Sequence, residues 1–223
     1  MQKIVIFGSG AHAKVIFSEI IENKKISFLG FVDASKRKGK VIAKYKNKNF
    51  CILGSIDQVL KKKNIFKGII GVGLNFLRHK IYNEILKKDK KFKFYTMISK
   101  DAILKPNVKI GPGSVILSKV IINTNTIIGD HNIIYTSSTI EHDNLFKDFC
   151  STGPRVTTGG NVFVDSLSHL GIGSVIKNDI KIRKNCLIGA KSLIINNCKQ
   201  NTVYFGAPAK KIRIKKYNEN YLR

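Results

Sequence analysis

The sequence predicts two folds in tandem: an α/β nucleotide-binding unit over residues 1–97 and a parallel β-helix over residues 98–223. Two observations carry this. A buried-strand pattern runs into a glycine-rich turn at the N-terminus, and a six-residue apolar period fills the second half without a slip.

The first half opens with Lys3–Phe7, a short apolar run, followed by Gly8-Ser9-Gly10-Ala11-His12-Ala13 and helical spacing over 13–21. This is a GxGxxG/A turn with Ala13 in the third place. Its glycines let backbone N–H groups approach a phosphate at the start of a helix. A second strand over 27–32 ends at Asp33, the acidic position that a dinucleotide site uses for a ribose. A third, 68–72, runs into Gly73-Leu74-Asn75. A helix is expected over 77–86 and a last strand over 93–97. Loops at the C-terminal ends of parallel strands form the ligand crevice, so Gly8, Ser9, Gly10, His12, Asp33, Gly73 and Asn75 are expected around one site. The unit is Rossmann-like but too short for both halves of a dinucleotide fold, which favours a mononucleotide. Gly8–Ala13 with Asp33 keeps an NAD-dependent oxidoreductase open as a remoter reading.

In the second half every sixth residue from Ile98 to Ile194 forms an anchor series. Fifteen of its seventeen members are large and apolar, against about seven expected from a 43% hydrophobic composition. The exceptions are Thr152 and Thr158. Four residues after each anchor comes a mostly small residue, and Cys150, Cys186 and Cys198 fall in that phase. Two residues after the anchors stand Pro106, Pro112, Asp130, Asp148, Pro154, Gly160, Asn178 and Asn196, types that mark turns. Neither a helix nor an ordinary strand holds a period of six; a β-helix does. Three units close one coil, so residues 18 apart stack. His142 then lies at a corner, pointing outward, with Gly160 beside it one coil along. A residue without a side chain there leaves room beside the imidazole and exposes an N–H able to stabilise an oxyanion.

Composition bounds the rest. The formal charge of +26 comes from lysines spread along the chain, with denser stretches at Lys61–Lys63 and Lys210–Lys216 that lack interleaved aromatics. It is read as a field for anionic small molecules, not as a nucleic-acid face. No apolar run approaches the roughly 20 residues of a membrane span, and the N-terminal run is too short for a secretory signal, so the protein is expected in the cytoplasm. Without a CxxC pair the four cysteines are read as reduced and buried, and no metal is expected. His79, His131 and His169 are read as solvated, surface or inter-subunit residues.

The two halves in this order resemble the sialic-acid O-acetyltransferase and bacillosamine-pathway (NeuD/PglD-type) sugar N-acetyltransferase family. The resemblance covers nearly the whole chain. It is carried by Gly8–His12, Phe31-Val32-Asp33, Gly73-Leu74-Asn75 with Arg78, Thr139–Asp143, Gly159-Gly160-Asn161-Val162 and Phe205–Lys210. It implies a left-handed β-helix, a homotrimer, acetyl-CoA as co-substrate between subunits, and a nucleotide-linked amino sugar of the UDP-4-amino-4,6-dideoxy type bound by the N-terminal unit. It implies His142 as general base with Asp143 as its acidic partner, and acetyl-CoA contacts from Ser151, Gly160, Gly189, Ala190, Ala207 and Pro208. Ser151 stands where some relatives carry a second histidine. O-acetylation of a sialic-acid-like sugar, with the same fold and base, remains the alternative, and a noncatalytic β-helix scaffold a further one.

Overall fold

The computed structural model describes residues 1–61 and 66–222. Lys62 and Lys63 of the first basic stretch lie outside the described residues. The chain divides into one unit of Met1–Gly73 with Leu77–Met97 and a second of Leu74–Phe76 with Ile98–Arg223.

The first unit contains β1 (Gln2–Phe7), α1 (Ala11–Ile20), β2 (Ile26–Val32), β3 (Val41–Tyr45), β4 (Lys48–Gly54), α2 (Ile56–Leu60), β5 (Lys67–Ile70) and, from Leu77 on, α3 (Asn75–Lys88). The sheet order is β3-β4-β2-β1-β5, with β1 parallel to both neighbours. A central parallel strand is covered on both faces, which is why Ile4, Val5, Ile6 and Phe7 are all fully buried. The third small position of the turn serves packing: a Cβ on Gly71 would lie 2.9 Å from the Cα and Cβ of Ala13, so α1 sits directly on the sheet. Two expectations are corrected. The β3–β4 hairpin and α2 were not anticipated. The expected strand over 93–97 reduces to a single parallel bridge, Gly68 to Phe94, while Met97–Ile98 pairs in the second unit.

The second unit is a left-handed parallel β-helix of two-residue strands. The strands stack into three parallel sheets, with six members in one, five in another and eight in the third. Partners are 18 residues apart, as in Ile121 with Thr139 and Ile122 with Ile140. The eight-stranded sheet ends in an antiparallel hairpin, Thr202–Gly206 with Ala209–Ile214. Anchors from Ile116 to Ile194 are no more than 2% exposed. Ile98 and Leu104, in the first coil, are 44% and 37% exposed, since that coil has a neighbour on one side only.

The phase four residues after each anchor also points inward, and its polar members bond the corners together. Ser114 Oγ donates to Gly129 O (2.8 Å), Thr126 Oγ1 to Glu141 O (2.7 Å) and Ser168 Oγ to Arg183 O (2.9 Å). Each also accepts the amide 18 residues on, from Asn132, Asn144 and Cys186. All four cysteines are free thiols. Cys150, Cys186 and Cys198 are buried, and Cys51 is half-buried. Burial pushes Cys186 up to about 11 and Cys198 up to about 12.

The corners explain the turn residues. Two residues after an anchor, the amide donates to no main-chain carbonyl among the described residues, so proline at 106, 112 and 154 forfeits nothing. One residue later, φ is positive at every sixth residue from Asn107 to Lys191. Asn, Asp and Gly suit that conformation best, and Asp143 is one of these residues, with φ 57°.

Candidate active site

In the first unit, Gly8 takes φ 104°, and a Cβ on it would meet Val72 Cγ2 at 2.9 Å and Gly71 O at 3.1 Å, so both conformation and space demand glycine. The Ser9 hydroxyl donates to Asp33 Oδ2. Asp33 Oδ1 accepts from Ser35 N (2.9 Å) and Ser35 Oγ (2.7 Å). Burial would raise the Asp33 pKa; the Ser9 and Ser35 bonds and the Lys36 charge outweigh it, and the net shift is downward. Lys36 Nζ donates to Ser9 Oγ (2.7 Å) and Ser9 O (3.3 Å), which places a cation on the glycine turn. Sequence reasoning missed Lys36; its signal was a lysine three residues after the strand-terminal acid. A Cβ on Gly10 would meet nothing within 4 Å, and the Gly10 N-cap gives the first turn of α1 no side-chain cap.

His12 is buried, and its pKa falls to about 3, first through burial and then through the Arg78 charge, so the ring is neutral. Arg78, 1% exposed, donates through Nη1 to Val72 O and Gly73 O, both at 3.0 Å, and clasps the Gly73 turn. Gly8, Ser9, Asp33 and Lys36 therefore meet at one loop cluster.

In the second unit, His142 Nδ1 lies 2.7 Å from Asp143 Oδ2. An ionised carboxylate only accepts, so Nδ1 carries a proton, and in the neutral ring Nε2 is the nitrogen with the lone pair. Hydrogen bonds from His142 and Asn125 hold Asp143 below the usual carboxylate range. Glu141 turns elsewhere: its Oε2 accepts from Asn123 Nδ2 at 2.9 Å. Gly160 does lie beside the imidazole, since a Cβ on it would sit 2.5 Å from His142 Cε1 and 2.6 Å from Nε2. Its amide is one of the corner N–H groups with no main-chain acceptor. The two Thr anchors each accept an amide of the neighbouring coil, Thr158 beside this corner and Thr152 at another. Thr158 Oγ1 accepts the Glu141 amide (3.2 Å) and Thr152 Oγ1 the Tyr135 amide (2.8 Å). Equivalent amides of Asn123 and Lys147 donate to the carbonyls of Ile140 and Val164.

The remaining expected residues lie apart from this corner. Ser151, expected to touch acetyl-CoA, is 2% exposed; its hydroxyl bonds Asn75 Oδ1 and His169 Nδ1, each at 2.8 Å. Asn75, expected at the nucleotide crevice, belongs to the second unit and donates through Nδ2 to Leu167 O (3.2 Å) and Ser168 O (3.0 Å). A side-chain amide can serve two carbonyls and one hydroxyl at once, and that use consumes it. His131 and His169, expected at the surface or between subunits, are buried within the chain: His131 stacks on Phe149, and His169 packs against Tyr221. Gly189 lies under the Phe205 ring, and Ala190, Ala207 and Pro208 are exposed. Ala190 shares its corner with Pro154 and Ile172, a different corner from that of His142. Among the described residues no group of three or more His, Cys, Asp or Glu is placed to hold a metal, and no helix is long and apolar enough to cross a membrane.

The PglD N-terminal domain model matches residues 3–85. Over those residues the first unit is similar to that domain. The whole chain also shares its fold with solved acetyltransferases. It superposes on the acetyltransferase domain of PglB from Neisseria gonorrhoeae FA1090, solved with acetyl coenzyme A, with TM-score 0.85 and 25% identity, covering 95% of this chain and 99% of that one. GDP-perosamine N-acetyltransferase from Caulobacter crescentus gives TM-score 0.86 at 24% identity, over 96% and 98% of the two chains. In sequence, GDP-perosamine N-acetyltransferase of Escherichia coli O157:H7 is 33% identical over 92 residues, a stretch spanning 40% of each protein. The PglD domain match embraces the glycine turn, Asp33, Lys36 and Arg78, but stops short of the dyad.

Proposed function

We propose that the protein is an acetyl-CoA-dependent N-acetyltransferase of a nucleotide-linked amino sugar, with His142 as general base. The observation that carries this reading is the His142–Asp143 pair facing a side-chain-free Gly160. An ammonium cannot attack a thioester. Nε2, the lone-pair nitrogen of the neutral ring while Asp143 holds Nδ1–H, takes the proton as the amine attacks, and Asp143 stabilises the imidazolium. The Gly160 amide is the candidate donor to the developing oxyanion. The proton on His142 then serves the departing CoA sulfur.

The named substrates of relatives support the substrate class. The Escherichia coli relative is a GDP-perosamine N-acetyltransferase, and the Caulobacter crescentus enzyme was solved with CoA and GDP-perosamine as a histidine-to-alanine mutant. These favour a guanosine nucleotide over the uridine nucleotide expected from sequence. The glycine turn, with Lys36 on Ser9, suits the diphosphate.

A second copy of the chain completes the site in this reading. The dyad side chains are 56% and 51% exposed, too wet for a preorganised acyl-transfer site. The remaining donor-side residues stand at another corner. The outward positions of the six-stranded sheet, Ile103, Ile121, Thr139, Thr157, Val175 and Leu193, carry no charge, as a buried interface requires. A homotrimer is the assembly proposed.

The test is a thiol-release assay with acetyl-CoA against GDP-perosamine, UDP-4-amino-4,6-dideoxy sugars and free sialic acids, with NAD binding measured alongside. His142→Ala should lose about 10²–10⁴-fold in kcat while acetyl-CoA affinity holds. A folded His142→Ala keeping a third of wild-type kcat would sink the assignment.

A further inference from the structure

The positive-φ corner positions stack 18 residues apart, and around the dyad they form a hydrogen-bonded chain with one direction. Asn107 Nδ2 donates to Asn125 Oδ1 at 3.1 Å, and Asn125 Nδ2 donates to Asp143 Oδ1 at 3.2 Å. The other oxygen, Asp143 Oδ2, takes His142 Nδ1 at 2.7 Å. An amide accepts at one end and donates at the other, whereas a carboxylate only accepts, so the chain has to run toward Asp143 and stop there. It restarts beyond the dyad: Asn161 Nδ2 donates to Asp179 Oδ1 at 2.8 Å, and Asn178 Nδ2 to Asp179 Oδ2 at 2.7 Å. Asn178 occupies the place of His142 two coils along. The active corner is thus a general corner motif with an imidazole in the amide's place.

We propose that Asn125 is a positioning residue for the base, holding one oxygen of Asp143 so that the other faces His142 Nδ1. Both dyad side chains are more than half exposed, so water competes for every lone pair of the carboxylate. A carboxylate bonded at one oxygen loses its freedom to turn about its own axis. A free imidazole in water prefers the proton on Nε2, which would leave no base facing Gly160. Asn125 acts against that tautomer through Asp143, and Asn107 in turn orients Asn125. Backbone bonds fix the geometry underneath: the Asp143 amide donates to Thr124 O (3.1 Å) and the Asn161 amide to His142 O (3.0 Å).

This inference rests on His142 being the base, so its test includes a measurement that needs no substrate. The full chain is labelled with 15N-histidine, and the His142 ring signals are assigned by their loss in His142→Ala. Asn125→Gly removes the amide while accepting φ 60° without strain. The wild type should show the Nδ1–H tautomer, and Asn125→Gly should shift toward Nε2–H, as Asp143→Gly does. In kinetics, Asn125→Gly should lower kcat about three- to tenfold, the net size of one ordinary hydrogen bond, with both KM values unchanged. The same substitution in an Asp143→Gly background should cost nothing further, because its only route to the base is gone. An unchanged tautomer in folded Asn125→Gly overturns the inference, as does an equal loss with and without the Asp143 carboxylate. A wild type without acetyl transfer would instead overturn the parent reading, and the imidazole spectrum would still decide this one.

Discussion

At Gly160 a single added carbon reaches the imidazole. The position of that carbon, 2.5 Å from His142 Cε1, lies well inside van der Waals contact, so even alanine must displace the ring from its place against Asp143. Gly160→Ala should therefore lower kcat by tenfold or more, up to the general-base range of about 10²–10⁴, with native circular dichroism. Near-normal kcat would mean that the ring is not held where the structure places it. His12 offers a second test. Its folded pKa is about 3 against 6.5 unfolded. Between those values the unfolded chain binds a proton that the folded one does not, so stability must fall as pH drops below 6.5. Urea unfolding at pH 7.5, 6 and 5 should show this, and His12→Gln should flatten the decline; parallel curves would contradict a neutral buried ring. The stacking of Gly160 beside His142 was legible from spacing, because 18-residue stacking is arithmetic, whereas the choice of His142 came from the family resemblance. The fate of Ser151 and Asn75 was not, because their partners are 76 positions apart in sequence.

Among the elements, the corner strand preceding the dyad depends on a hydroxyl. Thr158 interrupts the anchor series, and that interruption was visible in the sequence; its purpose was not, since it lies in a bond to an amide of the neighbouring coil. Thr158→Val keeps the shape and strands the Glu141 amide, at a cost of about 1–3 kcal/mol. Thr157→Val, one residue away and outward-facing, should stay within about 0.5 kcal/mol. Equal effects in urea titrations would show that the hydroxyl contributes nothing. The β3–β4 hairpin escaped the sequence reading for the opposite reason. Lysine and asparagine crowd its turn, at Lys44, Lys46, Asn47, Lys48 and Asn49, and an edge hairpin shows little of the burial that makes strands readable.

At the scale of the molecule, the site proposed here takes its base from one corner and its donor contacts from another, so two copies have to share it. Complementation tests this. His142→Ala and Ala190→Trp should each be inactive, and refolding them together should restore activity by pairing an intact base with an intact donor corner. No recovery, with mixed oligomers confirmed by mass, would confine the site to one chain. The charge of +26 belongs to this scale as well. It was legible only as a total, and the structure shows one lysine, Lys36, turned to a specific use on the glycine turn.

The unbroken period from Ile98 to Ile194 makes the second unit a screw thread whose pitch is counted in residues. Length changes are therefore not graded in their effect. One residue inserted ahead of Glu141 would bury what should face out. Six would carry the dyad round to the next corner, away from its asparagine chain. Only eighteen would bring it back into line. Growth and shrinkage of such a protein over evolutionary time should then proceed by whole turns, and a laboratory deletion of one complete turn beyond Asp179 should be tolerated where the loss of a single residue at the same place is not.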